Sequence, residues 1–379
     1  MNKLLFITIF LCAIWFFAKF FRTKKKDNGY NKDTGHYNKG LNVIEKKSSL
    51  RKEANTFSNP YKFIQFFTLD QEAIKWCANF LGIDEKSLTS ILRNIHTQYN
   101  HFYLKKRRGG HRAISAPKSE LLSIQKAIYH QILLPVDIHP AATGFRPGIS
   151  IADNARPHLG HNQVLKTDIR HFFGSIKRRK VIKAFIALGY QNNISKVLAE
   201  LCCLVRSLPQ GAPTSPALSN IIAYEMDKRL QDLSNEYHLT YTRYADDLTF
   251  SGDSIDPQIL LPLIDQILSL DRFKLKDIKT RFIRKNRRKI ITGVSISSGD
   301  KLTIPRAKKR ELRKNIHFIL TKGLVEHQRY IGSTDPLYLK RIIGYLSYWR
   351  SIEPDNNYVL ESMTALRKLE EKTLFLKNI

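Results

Sequence analysis

The sequence predicts an α+β fold preceded by an N-terminal transmembrane helix. Short apolar stretches with strand character, at residues 164–169 and 241–250, are separated by longer segments whose apolar residues recur at helical spacing. An almost uninterrupted apolar run opens the chain. With 379 residues, the chain is long enough to bury a large core and to form two or three domains.

The N-terminal apolar run, residues 4–21, is broken only by Thr8 and Lys19 and is just long enough to span a bilayer. It lacks the small-residue cleavage site of a secretory signal, so a cleaved signal or a peripheral hydrophobic helix is the weaker alternative. The cations that follow it are Arg22, Lys24, Lys25 and Lys26. The positive-inside rule therefore predicts a single-pass anchor at residues 1–22 in the cell inner membrane, with the body of the chain in the cytoplasm.

The next segments alternate between a tether, helices and a hairpin. Residues 23–60 are polar and basic, which predicts a flexible linker. Residues 61–94 show helical spacing, and the sequence Leu-Gly-Ile-Asp at residues 81–84 predicts the end of one helix and the start of another. Residues 103–117 predict two short strands joined by a basic, glycine-bearing turn.

The remaining elements follow from the same patterns. The apolar pattern at residues 164–169 predicts a strand that ends in Asp168. Residues 208–220 are predicted to begin as a loop rich in Pro and Gly, where Gly211 would allow the backbone to approach a ligand closely. Residues 135–148 are also predicted to be a loop. Helices are predicted at residues 123–134, 178–206, 221–233, 315–320 and 336–352.

The charge of the chain favours a polyanionic partner. Sixty-three Lys and Arg against thirty-three Asp and Glu give a formal net charge of +30, spread along the sequence. Nucleic acid is the first candidate partner and an anionic membrane surface the second. The four cysteines, Cys12, Cys77, Cys202 and Cys203, lack metal-ligand spacing, which favours reduced, cytosolic chemistry.

Three carboxylates are the candidate catalytic residues. Asp168 follows an apolar strand, while Asp246 and Asp247 lie at a tight reversal between residues 241–244 and 248–250. If these strands are antiparallel neighbours, Asp168 and Asp246 can share two divalent cations, as phosphoryl transfer requires, with Asp247 a weaker or structural ligand. An Asp-Asp pair alone is common in turns, so the surrounding sequence must decide.

The surrounding motifs resemble those of reverse transcriptases. Lys-Thr-Asp-Ile-Arg-His-Phe-Phe at residues 166–173, Leu-Pro-Gln-Gly at 208–211 and Tyr-Ala-Asp-Asp at 244–247 occur in the order expected of that family. Asn-Ala-Arg-Pro-His at residues 154–158 and Ile-Thr-Gly at 291–293 resemble the Asn-Ala-x-x-His and Val-Thr-Gly elements of the bacterial retron type, with Ile in place of Val.

The resemblance implies a right-hand polymerase with fingers, a ferredoxin-like palm and a helical thumb. It places the N-terminal helices and fingers at residues 61–163, the palm with interleaved fingers helices at 164–300 and the thumb at 301–379. It implies that Asp168, Asp246 and Asp247 bind two Mg²⁺ ions. Phe173 resembles the steric gate that excludes a ribose 2′-hydroxyl, although an ordinary core aromatic is its alternative.

The resemblance also implies two sets of binding residues. Arg112 with Lys105 would clamp the triphosphate, although Lys106, Arg107 and Arg108 are alternatives to Lys105. The implied nucleotide-binding residues are Lys105, Arg112, Ile169, Phe173, Gln210, Gly211 and Lys279. The implied RNA- and primer-binding residues are Asn154, His158, Thr292, Gly293, Lys308, Lys309, Arg310 and Arg313. A structural role is the alternative for His158, and a solvated face is the alternative for the basic stripe at residues 308–313.

The implied function is RNA-directed DNA polymerisation. A structured noncoding RNA would be both template and primer, deoxynucleoside triphosphates the substrates and branched RNA-linked DNA the product, with a possible effector protein in phage defence. One alternative is a reverse transcriptase of another bacterial lineage, of the group II intron or another defence-associated type. A catalytically idle, membrane-tethered RNA-binding scaffold is the other.

Overall fold

The computed structural model describes residues 70–106 and 109–375. The predicted anchor and linker lie outside these residues. Within the described ranges, no helix combines the length and apolarity needed to cross a bilayer. This finding corrects the prediction of a single-pass protein of the inner membrane, because none of the helices at residues 70–106 and 109–375 could serve as the span.

Two short helices come first, and their bounds follow from local capping. Helix α1 is Gln71–Leu81 and helix α2 is Glu85–Arg93. Gly82 adopts the left-handed conformation, with φ of 65°, and ends α1. The carboxylate of Asp84 accepts a hydrogen bond from the Ser87 backbone N–H at 3.0 Å and begins α2. The predicted stop and restart at residues 81–84 is confirmed.

A two-stranded antiparallel hairpin follows a 3₁₀ turn at Ile95–Gln98. Strand β1 is Tyr99–Lys105 and strand β2 is His111–Pro117, paired so that Tyr99 lies opposite Pro117 and Lys105 opposite His111. The predicted hairpin is confirmed, and its first strand begins four residues earlier than predicted.

Helices and one-turn segments connect this hairpin to the central sheet and pack around it. The bounds are α3, Ser119–Ile128, continued by a π-helical turn at Tyr129–Leu133; α4, Ile151–Ala155, continued by a 3₁₀ turn at Arg156–His158; α5, Phe172–Ser175; α6, Arg178–Ala187; α7, Asn192–Cys202; α8, Thr214–Ile222; α9, Tyr224–Glu236; and α10, Pro257–Leu270. The predicted helices at residues 178–206 are confirmed as α6 and α7, which are joined by a turn containing Gly189.

The central sheet has four antiparallel strands in the order β4-β5-β3-β6. Their bounds are β3, Gln163–Asp168; β4, Thr240–Tyr244; β5, Asp247–Gly252; and β6, Arg281–Ile283, the last preceded by a 3₁₀ turn at Asp277–Lys279. One row of apolar side chains, Tyr241, Phe250, Leu165 and Phe282, crosses all four strands and packs into the larger hydrophobic core. The opposite face, which carries Val164, Lys166 and Asp168 on β3, is therefore left for polar groups.

A second hydrophobic core joins the C-terminal helices to the central sheet. Its elements are β7, Ile290–Ile291; β8, Val294–Ser295; α11, Arg306–Lys322; α12, Leu324–Tyr330; α13, Tyr338–Ile352; and α14, Asn357–Phe375. Val164 from β3 and Ala152 and Ala155 from α4 belong to this core. The polar face of the sheet thus lies next to the C-terminal helices, and the mixed helix and sheet content confirms the α+β prediction.

Candidate active site

The three candidate carboxylates converge at one end of the central sheet. Asp168 ends β3 and lies directly opposite Asp247, which begins β5. Side chains of directly opposed residues share a face of the sheet. Asp246 lies in the turn between β4 and β5, and its carbonyl accepts a hydrogen bond from the Ile169 backbone N–H at 2.8 Å. The predicted neighbourhood is confirmed, although the register makes Asp247, and not Asp246, the cross-strand partner of Asp168.

Burial and neighbouring negative charges raise the pKa values of two of these carboxyl groups. Burial, together with the charges of Asp168 and Asp247, raises the pKa of Asp246 to about 6. Burial also raises the pKa of Asp247, against the opposing charge of Lys166. Asp168 is almost fully buried, with 3% of its surface exposed. The site therefore concentrates negative charge that only a cation can balance.

Lys279 supplies one such cation. Its ammonium forms an ion pair with Oδ2 of Asp168, and half of its side chain remains exposed. Burial alone would lower the pKa of Lys279, but the hydrogen bond and charge of Asp168 outweigh burial and raise it. The structure thus brings Lys279 to the carboxylates, and its predicted role in nucleotide binding stays a prediction.

The donor set suits a hard divalent cation whose remaining ligands come from a substrate. Among residues 70–106 and 109–375, no group of three or more His, Cys, Asp and Glu side chains is arranged to hold a metal ion by itself. Carboxylate oxygens are nevertheless the ligands that Mg²⁺ takes from proteins, and it commonly completes its shell with water and substrate phosphates. Asp168, Asp246 and Asp247 fit that partial role.

A buried ion pair beneath the turn escaped the sequence analysis. Arg243 and Asp227 are both fully buried, and the guanidinium donates to the two carboxylate oxygens at 2.7 and 2.6 Å. Nη1 of Arg243 also donates to the side chain of Asn220 and to the carbonyl of Ala245, each at 3.1 Å. An arginine within an otherwise buried strand is the signal that predicts such a partner, because an unpaired buried charge is costly.

The hairpin corrects the predicted triphosphate clamp. Lys105 lies opposite His111, whereas Arg112 lies opposite Leu104. Neighbouring residues of a strand point to opposite faces, so Lys105 and Arg112 lie on different faces of the hairpin. Arg112 shares its face with Ile114, which meets the loop containing Gly211. Arg112 therefore lies on the face turned to the loop, and Lys105 does not.

The loop containing Gln210 and Gly211 is held against β2. The Ser115 backbone N–H donates to the Gln210 carbonyl at 2.8 Å. Gly211 has φ of 125°, and a Cβ atom there would lie 2.8 Å from Cγ2 of Ile114 and 3.0 Å from the Ser115 carbonyl oxygen. The predicted close approach at Gly211 is thus made to the hairpin, which ties the loop to the strand carrying Arg112.

Two further nucleotide-binding predictions have different outcomes. Ile169 is 1% exposed and its N–H is bonded to the Asp246 carbonyl, so nucleotide binding by Ile169 stays a prediction. Phe173 is half-buried in the one-turn helix α5, whereas Phe172 is buried against Phe273 with a centroid distance of 5.6 Å. The two rings lie 5.7 Å apart between centroids and follow His171, which adopts a left-handed φ of 50°.

Two predicted RNA contacts are buried, and their assignment is corrected. Asn154 and His158 have no exposed surface, so neither side chain can touch RNA in this conformation. The ring of His158 lies 2.6 Å from Oγ of Ser251 and 2.8 Å from Oγ1 of Thr242. Burial lowers the pKa of His158 to about 3, which keeps the ring neutral. The alternative structural role applies to His158.

Asn154 instead connects the predicted primer-binding turn to the catalytic hairpin. Its Nδ2 donates to Oγ1 of Thr292 at 3.3 Å, and its Oδ1 accepts from Oγ1 of Thr143 at 2.6 Å. The Thr143 hydroxyl also lies 3.1 Å from the carbonyl of Arg243. Thr292 and Gly293 both have positive φ, of 45° and 93°, at the tight turn between β7 and β8.

The predicted basic stripe on α11 is largely engaged within the protein. Lys309 pairs with Glu353 at 2.7 Å and lies over the ring of Trp349. Further stacking joins Lys308 to Tyr345, at 3.8 Å, and Arg313 to Tyr358, at 4.9 Å. Arg310 is exposed. Arg313 is exposed as well, and phosphate binding by this stripe stays a prediction.

Comparison with known proteins was consistent with this geometry. Residues 104–313, more than half of the chain, match the family model described as reverse transcriptase (RNA-dependent DNA polymerase). Retron Ec86 reverse transcriptase from Escherichia coli is 36% identical over 243 residues, which are 62% of this chain and 76% of that protein. Retron Mx65 reverse transcriptase from Myxococcus xanthus is 33% identical over 276 residues, which are 68% of this chain and 62% of that protein.

Similarity to solved structures is weaker. Apo telomerase from Candida tropicalis, truncated from its C-terminal domain, aligns with a TM-score of 0.39 and 13% identity over 56% of this chain and 55% of that chain. Similarity at this level is too low to bear on the fold or the function.

Proposed function

This chain belongs to the reverse transcriptase family and, within it, to the bacterial retron type, and from that premise we propose that it copies a structured noncoding RNA into DNA that stays joined to the RNA. It is an RNA-directed DNA polymerase. The observation that carries the proposal is that Asp168 on β3 lies opposite Asp247 on β5, with Asp246 next to Asp247 in the turn between β4 and β5.

The geometry supports nucleotidyl transfer by positioning and charge. A hydroxyl at the primer end attacks the α-phosphate of a deoxynucleoside triphosphate, and pyrophosphate leaves. We assign two Mg²⁺ ions to Asp168, Asp246 and Asp247; when bound, such ions neutralise phosphate charge and favour the deprotonated hydroxyl. The raised pKa of Asp246 supports this assignment, since burial and the charges of Asp168 and Asp247 disfavour its charged form and a bound cation would favour it.

We assign nucleotide binding to Arg112 and to the loop that lies against its strand. Arg112 would bind the triphosphate, and Gln210 and Gly211 would line the site beside it, because β2 and their loop are directly bonded. Phe173 is assigned as the gate against a 2′-hydroxyl. Lys279 would neutralise the leaving pyrophosphate, because its half-exposed side chain can leave Asp168 once cations hold that carboxylate.

The RNA partner and the shape of the product are inferred from the retron relationship. The RNA would supply an internal 2′-hydroxyl as primer, so that the DNA is attached as a branch. The turn at Thr292 and Gly293 is assigned to the primer, and the C-terminal helices, residues 301–379, to the RNA–DNA duplex as a thumb. A role in phage defence with an effector protein stays a prediction from the resemblance.

Substitution of one carboxylate tests the proposal. Asp246→Asn removes the charge of a cation ligand with little change of shape, and the rate of deoxynucleotide incorporation should fall by about 10³-fold. The matched control is Asp253→Asn, an exposed carboxylate just after β5 whose bonds go to Asn162. Both proteins are purified from cells with their nucleic acid, which is sequenced after separate RNase and DNase treatment.

The control protein should yield DNA that carries a branched RNA remnant. Asp246→Asn should yield no such DNA. Linear DNA without a branch from an active enzyme would contradict the retron-type product and favour another bacterial lineage. Unchanged biological output from Asp246→Asn without any synthesis would favour an RNA-binding scaffold.

A further inference from the structure

An exposed aromatic residue beside the catalytic turn is left without a role by the motifs. Phe145 has 38% of its surface exposed and adopts φ of 65°. Residues other than glycine, and bulky ones above all, rarely adopt a positive φ. The backbone strain of such a conformation persists only where the surrounding structure imposes it. The surroundings of Phe145 therefore indicate what its ring is held in place to do.

The segment before Phe145 is fixed to the turn that carries Asp246. The backbone N–H of Thr143 donates to the Arg243 carbonyl at 2.9 Å, and Asn220 Nδ2 donates to the Gly144 carbonyl at 2.8 Å. A Cβ atom at Gly144 would lie 2.7 Å from the backbone nitrogen of Ala245. The glycine thus lets the segment lie directly against the catalytic turn, and the position of Phe145 follows that of the turn.

The ring of Phe145 lies between two other aromatic rings. Its centroid is 6.0 Å from that of Phe173, with the planes tilted by 41°, and 6.4 Å from that of Tyr244, with a tilt of 38°. Phe173 comes five residues after Asp168, and Tyr244 comes two residues before Asp246. Phe145, Phe173 and Tyr244 therefore form an aromatic wall that borders the carboxylates on two chain segments.

The ring of Phe173 contacts two other aromatic rings. Phe172, which is buried, lies 5.7 Å from it between centroids, and Phe145 lies 6.0 Å away. Helix α5, which carries Phe173, is only one turn long. Its few backbone bonds restrain the ring weakly, so the flanking rings must supply much of the restraint on its rotamer.

We propose that Phe145 is a specificity-determining residue for the sugar of the incoming nucleotide, acting as a positioning residue that holds Phe173 in place. The inference rests on the proposed function, in which Phe173 excludes the ribose 2′-hydroxyl. A gate discriminates only if its ring cannot move aside. Phe145 contacts Phe173 in addition to Phe172, and the position of Phe145 is set by the catalytic turn.

The expected effect follows from the strength of aromatic pairs. Removal of one such contact corresponds to roughly a 2- to 10-fold change in an equilibrium or rate ratio. Phe145→Ala should raise the ratio of kcat/KM for a ribonucleotide to kcat/KM for the matching deoxynucleotide by that factor. Phe173→Ala should raise the same ratio further, because it removes the gate itself.

Single-nucleotide incorporation on a defined RNA template and primer tests this with the full-length protein. The variants are Phe145→Ala, Phe145→Tyr, Phe173→Ala and the double alanine variant. Phe145→Tyr retains a ring and should keep the selectivity of the unaltered enzyme. The double variant should match Phe173→Ala alone, because a residue that acts through Phe173 has no further effect once Phe173 is gone.

Two controls separate selectivity from folding. Tyr237→Ala removes a ring of similar exposure, 37%, near the other end of β4, and should leave the selectivity ratio unchanged. Thermal unfolding of every variant is recorded. If Phe145→Ala does not fold, Phe145→Leu takes its place, since it keeps apolar bulk but loses the ring.

The outcomes distinguish this inference from the assignment of the gate. Raised ribonucleotide use in Phe173→Ala but not in the Phe145 variants would overturn the inference and leave the gate intact. Unchanged selectivity in Phe173→Ala would refute the gate and with it any action of Phe145 through it. Additive effects in the double variant would show that Phe145 acts separately from Phe173 and would also overturn the inference. A higher KM for the primer without a change in sugar selectivity would do the same.

Discussion

At the scale of single residues, buried polar groups orient the catalytic turn. Arg243 and Asp227 form a fully buried, doubly hydrogen-bonded pair, and Arg243 also bonds the carbonyl of Ala245 inside the turn. Burying such a pair stabilises little overall, because desolvation offsets attraction, but removing one partner costs about 3–5 kcal/mol. The pair therefore contributes orientation of the turn more than net stability.

His158 makes the stability of the protein sensitive to acid. Its pKa is about 3 when folded, because burial disfavours the charged ring, and about 6.5 when unfolded. Below pH 6.5 the unfolded chain binds a proton at His158 that the folded chain does not bind. The contribution of His158 to the free energy of unfolding is therefore fully present above pH 6.5 and is lost as the pH falls toward 3. At pH 5 the loss from this residue is about 2 kcal/mol.

His158→Gln should therefore flatten the decline of the unfolding free energy between pH 6.5 and pH 5, measured by urea titration at each pH. The control is His130→Gln, which removes an exposed histidine and should leave the slope unchanged. Parallel slopes for His158→Gln and the unaltered protein would contradict a neutral, buried ring in the folded state.

At the scale of elements, a hydrogen-bonded link joins three pieces of the site. Asn154, in α4, bonds Thr292 in the turn between β7 and β8, and also bonds Thr143, which contacts the carbonyl of Arg243 in β4. The turn assigned to the primer is thereby connected to the hairpin that carries Asp246. The link would keep the primer end in register with the carboxylates.

Asn154→Ala breaks this link by removing the side-chain hydrogen bonds to Thr143 and Thr292, which should cost about 1–3 kcal/mol of unfolding free energy. Because the primer turn is released, KM for the template and primer should rise by a larger factor than kcat falls. Steady-state primer extension and thermal unfolding measure the two effects. Asn235→Ala, an exposed asparagine at the end of α9, is the control. An equal loss of kcat and no change in primer KM would indicate a general structural defect.

At the scale of the whole molecule, two cores meet at the catalytic sheet. The apolar row of Tyr241, Phe250 and Leu165 packs into the larger core, while Val164 on the opposite face joins the core of the C-terminal helices. The polar groups of the site lie on that second face. The formal net charge of the chain, +30, favours a polyanionic partner.

RNA binding should consequently weaken steeply with salt, and individual cations should contribute unequally. Arg310→Ala should lower the slope of log K against log salt by about 1, because Arg310 is exposed and available to a phosphate. Lys309→Ala should mainly lower the thermal stability, because Lys309 pairs with Glu353 and lies over Trp349. Fluorescence anisotropy with labelled RNA from 50 to 200 mM salt measures the slope. A larger slope change for Lys309→Ala would reverse the assignment.

Sequence alone predicted the features that depend on local pattern. The end of α1 at Gly82, the start of α2 at Asp84, the hairpin around residues 103–117 and the strand ending in Asp168 all follow from side-chain periodicity and turn residues within a short window. The order of motifs was also enough to identify the polymerase family. Such signals are local, so no knowledge of the rest of the chain is required.

Only the tertiary structure decided which of the candidate residues share a surface. Strand register separates Lys105 from Arg112, and burial removes Asn154 and His158 from contact with RNA. Tertiary packing also reveals that Phe145 lies beside Phe173. These outcomes depend on contacts between distant residues, such as Thr143 with Arg243, one hundred positions apart. Composition and spacing report which residue types are present, whereas the free energy of packing determines which side chains meet.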